Sequence, residues 1–576
     1  MPDNDDWGAD IVATVRKYAL QNAVEYDGAG QAGSVLGRLL GERAELRPKA
    51  KELKSLVETE VDAANALAAS QGVEAVRDAL AATNPEALER QKQQKRIGLK
   101  PLPNAVDGSV VLRFAPNPNG PLTIGHARGV SINSQFAEMH DGKVVLRFDD
   151  TDTKIKPPLP AAYEWIEDEY EWLAGKPADI VIRASDRMPI YLEHAKQMIS
   201  GGFGYVCRCS ASDFKQLRDS KEACPCRERS IENNLSDWNA MIEGEISEGG
   251  AVVRVKTGLD LPNPALRDWP ALRIQHTPHP MVGQKYKVWP LLDFQSAIED
   301  HEQGVTHIVR GKDLMDSTRK QTLLYQHFGW KYPETLYWGR VKVHEFGGFS
   351  TSGMRNEIEE GIYSDWDDAR LPTLRALRRR GFDASALRAF WIDLGLTQKD
   401  ISISMQTIES FNSSVIDERC ERRSFVRNAR TLHLNWNNCP EGRVDDASIA
   451  RHPSGTISGS REWNLGDGSI LIETDDLDNN EIRLKDFADI EIVENEARVQ
   501  SLDRSDKRAI VHWLPTSMAR PATLTRAVES DFIIEEGMIE NFELTVGAIV
   551  QLERVGFARI ESIPKDGAIE LLYLHG

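Results

Sequence analysis

The densest run of chemistry-bearing residues is Arg113-Phe114-Ala115-Pro116-Asn117-Pro118-Asn119-Gly120, which leads into Ile124-Gly125-His126-Ala127. Pro-Asn-Pro-Asn-Gly makes a stiff turn that lets backbone approach a ligand closely. A helix starting near Ile124 would point its free N–H groups and positive dipole end at that turn, a natural triphosphate site. His126, in its first turn, is placed to donate to a phosphoryl oxygen that gains charge in a transition state. A second cluster is Cys207-Arg208-Cys209, then fourteen residues, then Cys224-Pro225-Cys226. Four thiolates this close suit a tetrahedral structural Zn²⁺ with no open coordination position. In a chain with six cysteines over 576 residues, a metal site explains them better than disulfides do. Cys420 and Cys439 stand alone and read as packing residues.

The surrounding sequence must hold these groups in place. Residues 1–105 read as helices, with Val35, Leu36, Leu39 and Leu40 on one side of the second and an alanine-rich third over 57–80. They close in a polar, basic, proline-bearing piece that reads as a linker, residues 91–96 and then Lys100-Pro101-Leu102-Pro103. From 106 to 199 the pattern becomes strand, glycine-bearing turn, helix, strand, the opening of a parallel α/β sheet. Arg113 and Asp149 both fall at carboxyl ends of strands, where such sheets gather ligands. Residues 200–288 interrupt the sheet and hold the cysteine cluster, and 289–354 return to it through Val305-Thr306-His307-Ile308-Val309-Arg310. A helical stretch follows over 355–428. Short alternating strands between Gly, Asn and Asp turns over 429–576 predict β-barrels.

Hydrophobic residues at 41% and charged residues at 28% fit a soluble multidomain protein. No apolar run reaches the ~18–20 residues of a membrane helix. The acidic N-terminus carries no signal-peptide pattern, so a cytoplasmic location is expected. A net charge of −19 excludes a uniformly basic nucleic-acid binder, but a local basic patch acts within a Debye length regardless.

The segment 113–127 closely resembles the first signature of class I aminoacyl-tRNA synthetases, in the branch that activates glutamate and glutamine. Leu146-Arg147-Phe148-Asp149-Asp150-Thr151-Asp152, residues 304–313, Trp338-Gly339-Arg340-Val341-Lys342-Val343 and residues 371–381 extend the resemblance over most of the chain. The β-rich C-terminus and helical N-terminus are similar to the archaeal glutamyl kind. The resemblance implies a Rossmann-like catalytic domain with an acceptor-binding insertion. It implies ATP with Mg²⁺ as substrate, an aminoacyl-adenylate intermediate, and contact of ATP with Asn117, Thr123, Gly125, His126, Arg340, Val341 and Ser352. Thr123 stands where the family has its first signature histidine.

By the same resemblance, Arg113, Ala115, Asp149 and Arg310 form the amino-acid site. Arg113 and Arg310 face the side-chain carboxylate, and Asp149 takes the α-ammonium. Arg310 selects L-glutamate, because glutaminyl enzymes carry a small uncharged residue there, and a guanidinium pairs a carboxylate in bidentate fashion. Glutamine would leave it incompletely paired. Leu292 replaces a tyrosine frequent in the family. The second signature reads Ser350-Thr351-Ser352-Gly353-Met354-Arg355, with Gly353 at the usual lysine. Either Arg355 substitutes for that lysine, acting with Gly125, His126 and Ser352, or the enzyme is slow. The rival readings are a glutaminyl-tRNA synthetase and a catalytically impaired tRNA-binding paralogue.

The tRNA partner is expected to be tRNA(Glu), with tRNA(Gln) as a second candidate, bound before activation by a monomer. Its phosphates should meet the basic clusters Arg375, Arg378, Arg379 and Arg380, and Arg422 and Arg423 with Arg419, Arg427 and Arg430 nearby.

Overall fold

The computed structural model describes residues 7–87, 98–346, 348–504, 508–529 and 531–576. The chain divides into two compact units, Met1–Ile97 and Gly98–Gly576. The linker at 91–96 lies outside the described residues. Leu102, grouped by sequence with the N-terminal helices, instead packs in the core of the second unit. There its N–H donates to His140 Nε2.

The first unit contains α1 (Ala9–Glu25), α2 (Ala32–Glu42), α3 (Ala50–Gln71) and α4 (Val73–Thr83). Val35 and Leu39 of α2 are fully buried with Tyr18, Leu53, Val57 and Val76, while Leu36 and Leu40 lie at the margin of that core. The i, i+4 spacing places such residues on one face.

The second unit opens with β1 (Val111–Phe114), α5 (Ile124–Met139), β2 (Lys143–Phe148), α6 (Pro160–Ala174) and β3 (Ile180–Arg183). The three strands are parallel, with Arg113 beside Val145 and Phe148 beside Arg183. Buried apolar runs suit strands covered on both faces. Then come α7 (Met188–Ser200), β4 (Gly204–Cys207), α8 (Ala211–Asp219), α9 (Ile231–Glu243), β5 (Val252–Val255), β6 (Pro270–Ile274) and β7 (Val288–Pro290). Strands β4 to β7 form an antiparallel sheet inserted into the parallel one. The parallel sheet resumes after α10 (Leu292–Glu302) with β8 (His307–Gly311), α11 (Met315–Phe328) and β9 (Glu334–Trp338). Thr306 N–H donates to Val111 O, which sets β8 alongside β1.

Next are β10 (Val341–Val343), α12 (Thr351–Glu359), α13 (Leu374–Arg379), α14 (Ala384–Leu394), β11 (Ile401–Ile403) and α15 (Met405–Ile416). Two seven-stranded sheets finish the chain. In the first, Arg422–Arg423 pairs with one edge and Phe425–Arg427 with the other, so a single interrupted strand closes the sheet. Ala509–Val511 and Leu514–Pro515 close the second in the same way. Closure removes free edges, and the expected barrels are present.

Candidate active site

The turn 115–123 is locked from three sides. Asn117 Nδ2 donates to Asp149 O at 2.8 Å, and Asp149 N–H donates to Pro116 O at 3.0 Å, tying the turn to the end of β2. Leu122 N–H donates to the buried Glu169 of α6 at 2.7 Å. Leu374 N–H donates to Leu122 O and Ile124 N–H to Pro372 O, so residues 371–374 clamp the start of α5. Gly120 allows the closest approach: a Cβ there would lie 2.6 Å from Thr351 Cγ2. The two signature segments therefore touch.

Thr123 is the N-cap of α5, and it forms a reciprocal capping box with His126. Thr123 N–H donates to His126 Nδ1 at 3.1 Å. Nδ1 is thereby an acceptor, which leaves the ring proton on Nε2. Burial, aided by the positive charge of Lys156, pushes the His126 pKa down to about 4. The imidazole is therefore neutral at physiological pH and offers one N–H. Gly125 is exposed, and a Cβ on it would meet only Thr123 Oγ1, at 3.8 Å, so the helix end is open to a ligand.

The residues expected to hold the amino acid lie at the carboxyl ends of β1, β2 and β8. Arg147 donates to Asp149 Oδ1 and Asp300 Oδ1, both at 2.8 Å, and to Ser296 Oγ at 2.6 Å. Arg113 Nε reaches Asp300 Oδ1 at 3.4 Å, and Gln295 Nε2 donates to Asp149 Oδ1 at 2.6 Å. Among the described residues Arg310 has neutral hydrogen-bond partners only: Gln321 Oε1 at 3.1 Å and Thr318 Oγ1 at 3.4 Å. Its Nε is buried with no partner among the described residues. Gln321 Oε1 also accepts from Tyr332, and Gln321 Nε2 donates to Asp293 O.

Three buried guanidiniums (113, 147, 310) thus face two buried carboxylates (149, 300), and the neighbouring buried Glu299 is already paired with Arg187, so these groups carry one excess positive charge. Burial works against the charge of Asp300, yet Arg113, Arg147 and Arg310 hold its pKa below the ordinary carboxyl value. Burial pushes Arg113 down to about 10, against the pull of Asp300 and with the repulsion of Arg310. Ala115 follows β1 half-buried. Leu292, at the start of α10, is 51% exposed.

The segment expected to meet the nucleoside is held from α5. Arg128 donates to Gly339 O at 2.9 Å and Gly395 O at 2.8 Å, and lies over the Trp338 ring. Arg340 N–H donates to Asp400, which also pairs Lys312. Val341 pairs with Ile401.

Ser350 caps α12 through Gly353 N–H, and Ser352 is exposed in its first turn. Met354 anchors that helix in a cluster with Tyr363, Trp366, Leu371 and Ala376. Arg355 pairs with Glu359 at 3.0 Å, one turn further from the end that touches Gly120.

All four cysteine Sγ atoms lie within 4.8 Å of one another, with Cys207–Cys224 at 4.0 Å and Cys209–Cys226 at 3.8 Å. A zinc ion with Zn–S of ~2.3 Å gives tetrahedral S···S edges of ~3.8 Å, so the donor set fits.

The basic clusters separate by burial. Arg375 lies over Trp165, and Arg378 over Trp172 beside Asp168, both on α13. With Arg379 and Arg559 they line a cavity of about 560 Å³ that also holds Glu169 and Glu561. Arg379 is paired with Glu561 at 2.6 Å. Arg380 is mostly covered, beside Glu409 and Leu574 O. Arg422 and Arg423 correct the expectation of a second phosphate patch. They sit in the barrel-closing strand, buried and paired with Asp417 and Glu421. A guanidinium engaged this way is not offered to a phosphate. Nearby Arg419 is exposed but bound to Asp383.

Asp300, Gln295 and Gln321, which belong to no quoted motif, join Arg147 of the second quoted strand around these residues. For Arg147 a local signal existed besides the resemblance: its alternation with Asp149 puts both on the same side of a strand.

The chain that carries these residues matches the family model for class I tRNA synthetases (E and Q), catalytic domain, over residues 109–418. The glutamate–tRNA ligase of Methanosarcina acetivorans is 44% identical over 96% of this chain and 97% of its own length. That of Archaeoglobus fulgidus is 41% identical over 97% and 99%. That of Pyrococcus furiosus is 41% identical over 97% and 98%. The chain belongs to the glutamate–tRNA ligase family of class I synthetases.

Proposed function

We propose that the chain joins L-glutamate to tRNA(Glu) through glutamyl-adenylate, with ATP and Mg²⁺ as co-substrates. The observation that carries this is Arg310, a buried cation with neutral partners in a site holding one excess positive charge. Glutamate supplies the missing anion. Glutamine would supply none, and a buried site built for a polar partner rejects the analogue lacking it by ~10⁴–10⁵.

In the first step the glutamate α-carboxylate attacks the ATP α-phosphorus, and pyrophosphate leaves. Asp149, whose Oδ1 is fixed by Arg147 and Gln295, holds the α-ammonium. Neutral His126 donates its Nε2–H to the phosphates, and the first turn of α5 adds backbone N–H groups. The tRNA 2′-hydroxyl then attacks the glutamyl carbonyl, and AMP leaves. Positioning and charge complementarity do the work, and no side-chain nucleophile is required.

The tRNA backbone reaches α13 at Arg375 and Arg378. Cys207, Cys209, Cys224 and Cys226 would hold a zinc ion whose role in the inserted domain is structural. One chain carries every part named here, so a monomer is the working unit, in the cytoplasm with its tRNA. A second reading, a paralogue slow in activation, is favoured by Gly353 alone.

Charging of purified tRNA(Glu) and tRNA(Gln) with labelled glutamate tests the proposal. Glutamyl-tRNA(Glu) is expected, and the tRNA(Gln) arm defines the acceptor range. No product with either tRNA, from protein that still binds them, supports the second reading instead.

A further inference from the structure

The phosphate site lacks the cation that the second signature normally brings. Gly353 has no side chain, Arg355 is engaged by Glu359, and His126 is neutral. ATP with its magnesium still carries net negative charge onto the end of α5. The loop 152–159, between β2 and α6, faces the same turn. Asp152 Oδ1 organises it by accepting from the N–H groups of Lys154 and Ile155. Lys154 is taken up by Glu248, at 2.7 Å. At the far end of the loop, Leu159 N–H donates to Pro118 O at 2.8 Å, stapling the loop to the signature turn. Between these anchors Lys156 is exposed, with no ion-pair or hydrogen-bond partner among the described residues, and the stiff Pro157-Pro158 pair follows it.

We propose that Lys156 supplies the missing cation, contacting the β,γ-phosphates of ATP and neutralising pyrophosphate as it leaves. The proposal rests on the glutamate-activating reading above. Its independent support is the Leu159 N–H to Pro118 O bond, which holds the loop that carries Lys156 against the turn leading into His126; the positive charge of Lys156 also helps to depress the His126 pKa. An ammonium on a four-carbon stem can follow the phosphates through the reaction, because Lys156 has no ion-pair or hydrogen-bond partner among the described residues to give up.

Lys156→Gln and Lys156→Arg in the full chain test it. With tRNA bound, Lys156→Gln should lower glutamate-dependent pyrophosphate exchange by ~10²-fold, the loss typical of one preorganised electrostatic partner. Its KM for pyrophosphate should rise while KM for glutamate and Tm stay native, and Lys156→Arg should recover most of the rate. Calorimetric titration with inorganic pyrophosphate alone, which needs no turnover, should show weaker binding to Lys156→Gln than to native protein. Equal pyrophosphate affinity in the two proteins overturns the proposal. So does a Lys156→Gln defect confined to transfer onto tRNA. Native protein that binds pyrophosphate through Lys156 yet fails to activate glutamate would instead refute the parent reading.

Discussion

Replacing Arg310 with glutamine removes the one guanidinium of the proposed amino-acid site that has no carboxylate partner among the described residues. In the native site three arginines oppose Asp149 and Asp300, and glutamate brings the third negative charge. In Arg310→Gln the protein groups already balance, and the substrate carboxylate arrives as an unmatched buried charge. Truncating one partner of a buried charge pair costs ~2–5 kcal/mol. At ~1.4 kcal/mol per factor of ten, kcat/KM for glutamate should fall by ~30-fold to several thousandfold. Glutamine, which brings no charge, should lose little, so the ratio of the two kcat/KM values moves toward glutamine by a similar factor. Stability should hold, because Arg310 repels Arg113 and its loss relieves that repulsion. The assay is tRNA-dependent pyrophosphate exchange over a range of glutamate and glutamine concentrations, with Tm measured in parallel. A variant that keeps native kcat/KM for glutamate would refute the charge-balance argument. So would one whose loss is matched by a fall in Tm.

Other parts of the structure make separate demands. Burial pushes Glu169 up to about 8. Its unfolded pKa is lower, so the folded state holds the extra proton and native stability falls as pH rises from about 4.5 to about 8. Glu169→Gln keeps an acceptor for Leu122 N–H, so its Tm advantage over native protein should grow across that window. A constant offset would show that Glu169 does not titrate there. Arg378→Ala should raise KM for tRNA with Tm unchanged, whereas Arg423→Ala should lower Tm, since it leaves Glu421 less well paired in the barrel-closing strand. The reverse pattern would return Arg423 to the tRNA surface. Elemental analysis of protein purified without chelator should find one zinc per chain, and Cys224→Ser should lower that content. Metal-free native protein with an intact insertion would overturn the zinc assignment.

Much of this was legible in the chain itself, because the informative residues are adjacent in sequence. The turn 115–120, the helix start at Ile124 and the two Cys-x-Cys pairs are local patterns with local causes. Arg310 was legible through family resemblance. What remained hidden depends on pairing across long separations. Asp300 meets Arg113 and Arg147 only after the sheet assembles, and Gln321 meets Arg310 across a strand-to-helix turn. Arg422 and Arg423 look like surface charge in a run of arginines. Only barrel closure, which joins them to Gln551 and Leu552, reveals that they are buried. Leu102 sits in a proline-bearing stretch that resembles linker, yet it fills the second unit's core. Lys156 lies in a polar loop with no motif, and its meaning depends on the hydrogen bond from Leu159 to Pro118.

The central claim is that the excess positive charge at Arg310 makes this a glutamate-selecting enzyme that still activates its substrate without a lysine at 353. Pyrophosphate exchange by the native chain, run with tRNA(Glu) and either glutamate or glutamine, tests it most directly. Robust exchange with glutamate and none above background with glutamine at equal concentration is the predicted result. Exchange with glutamine, or with neither amino acid, would contradict it.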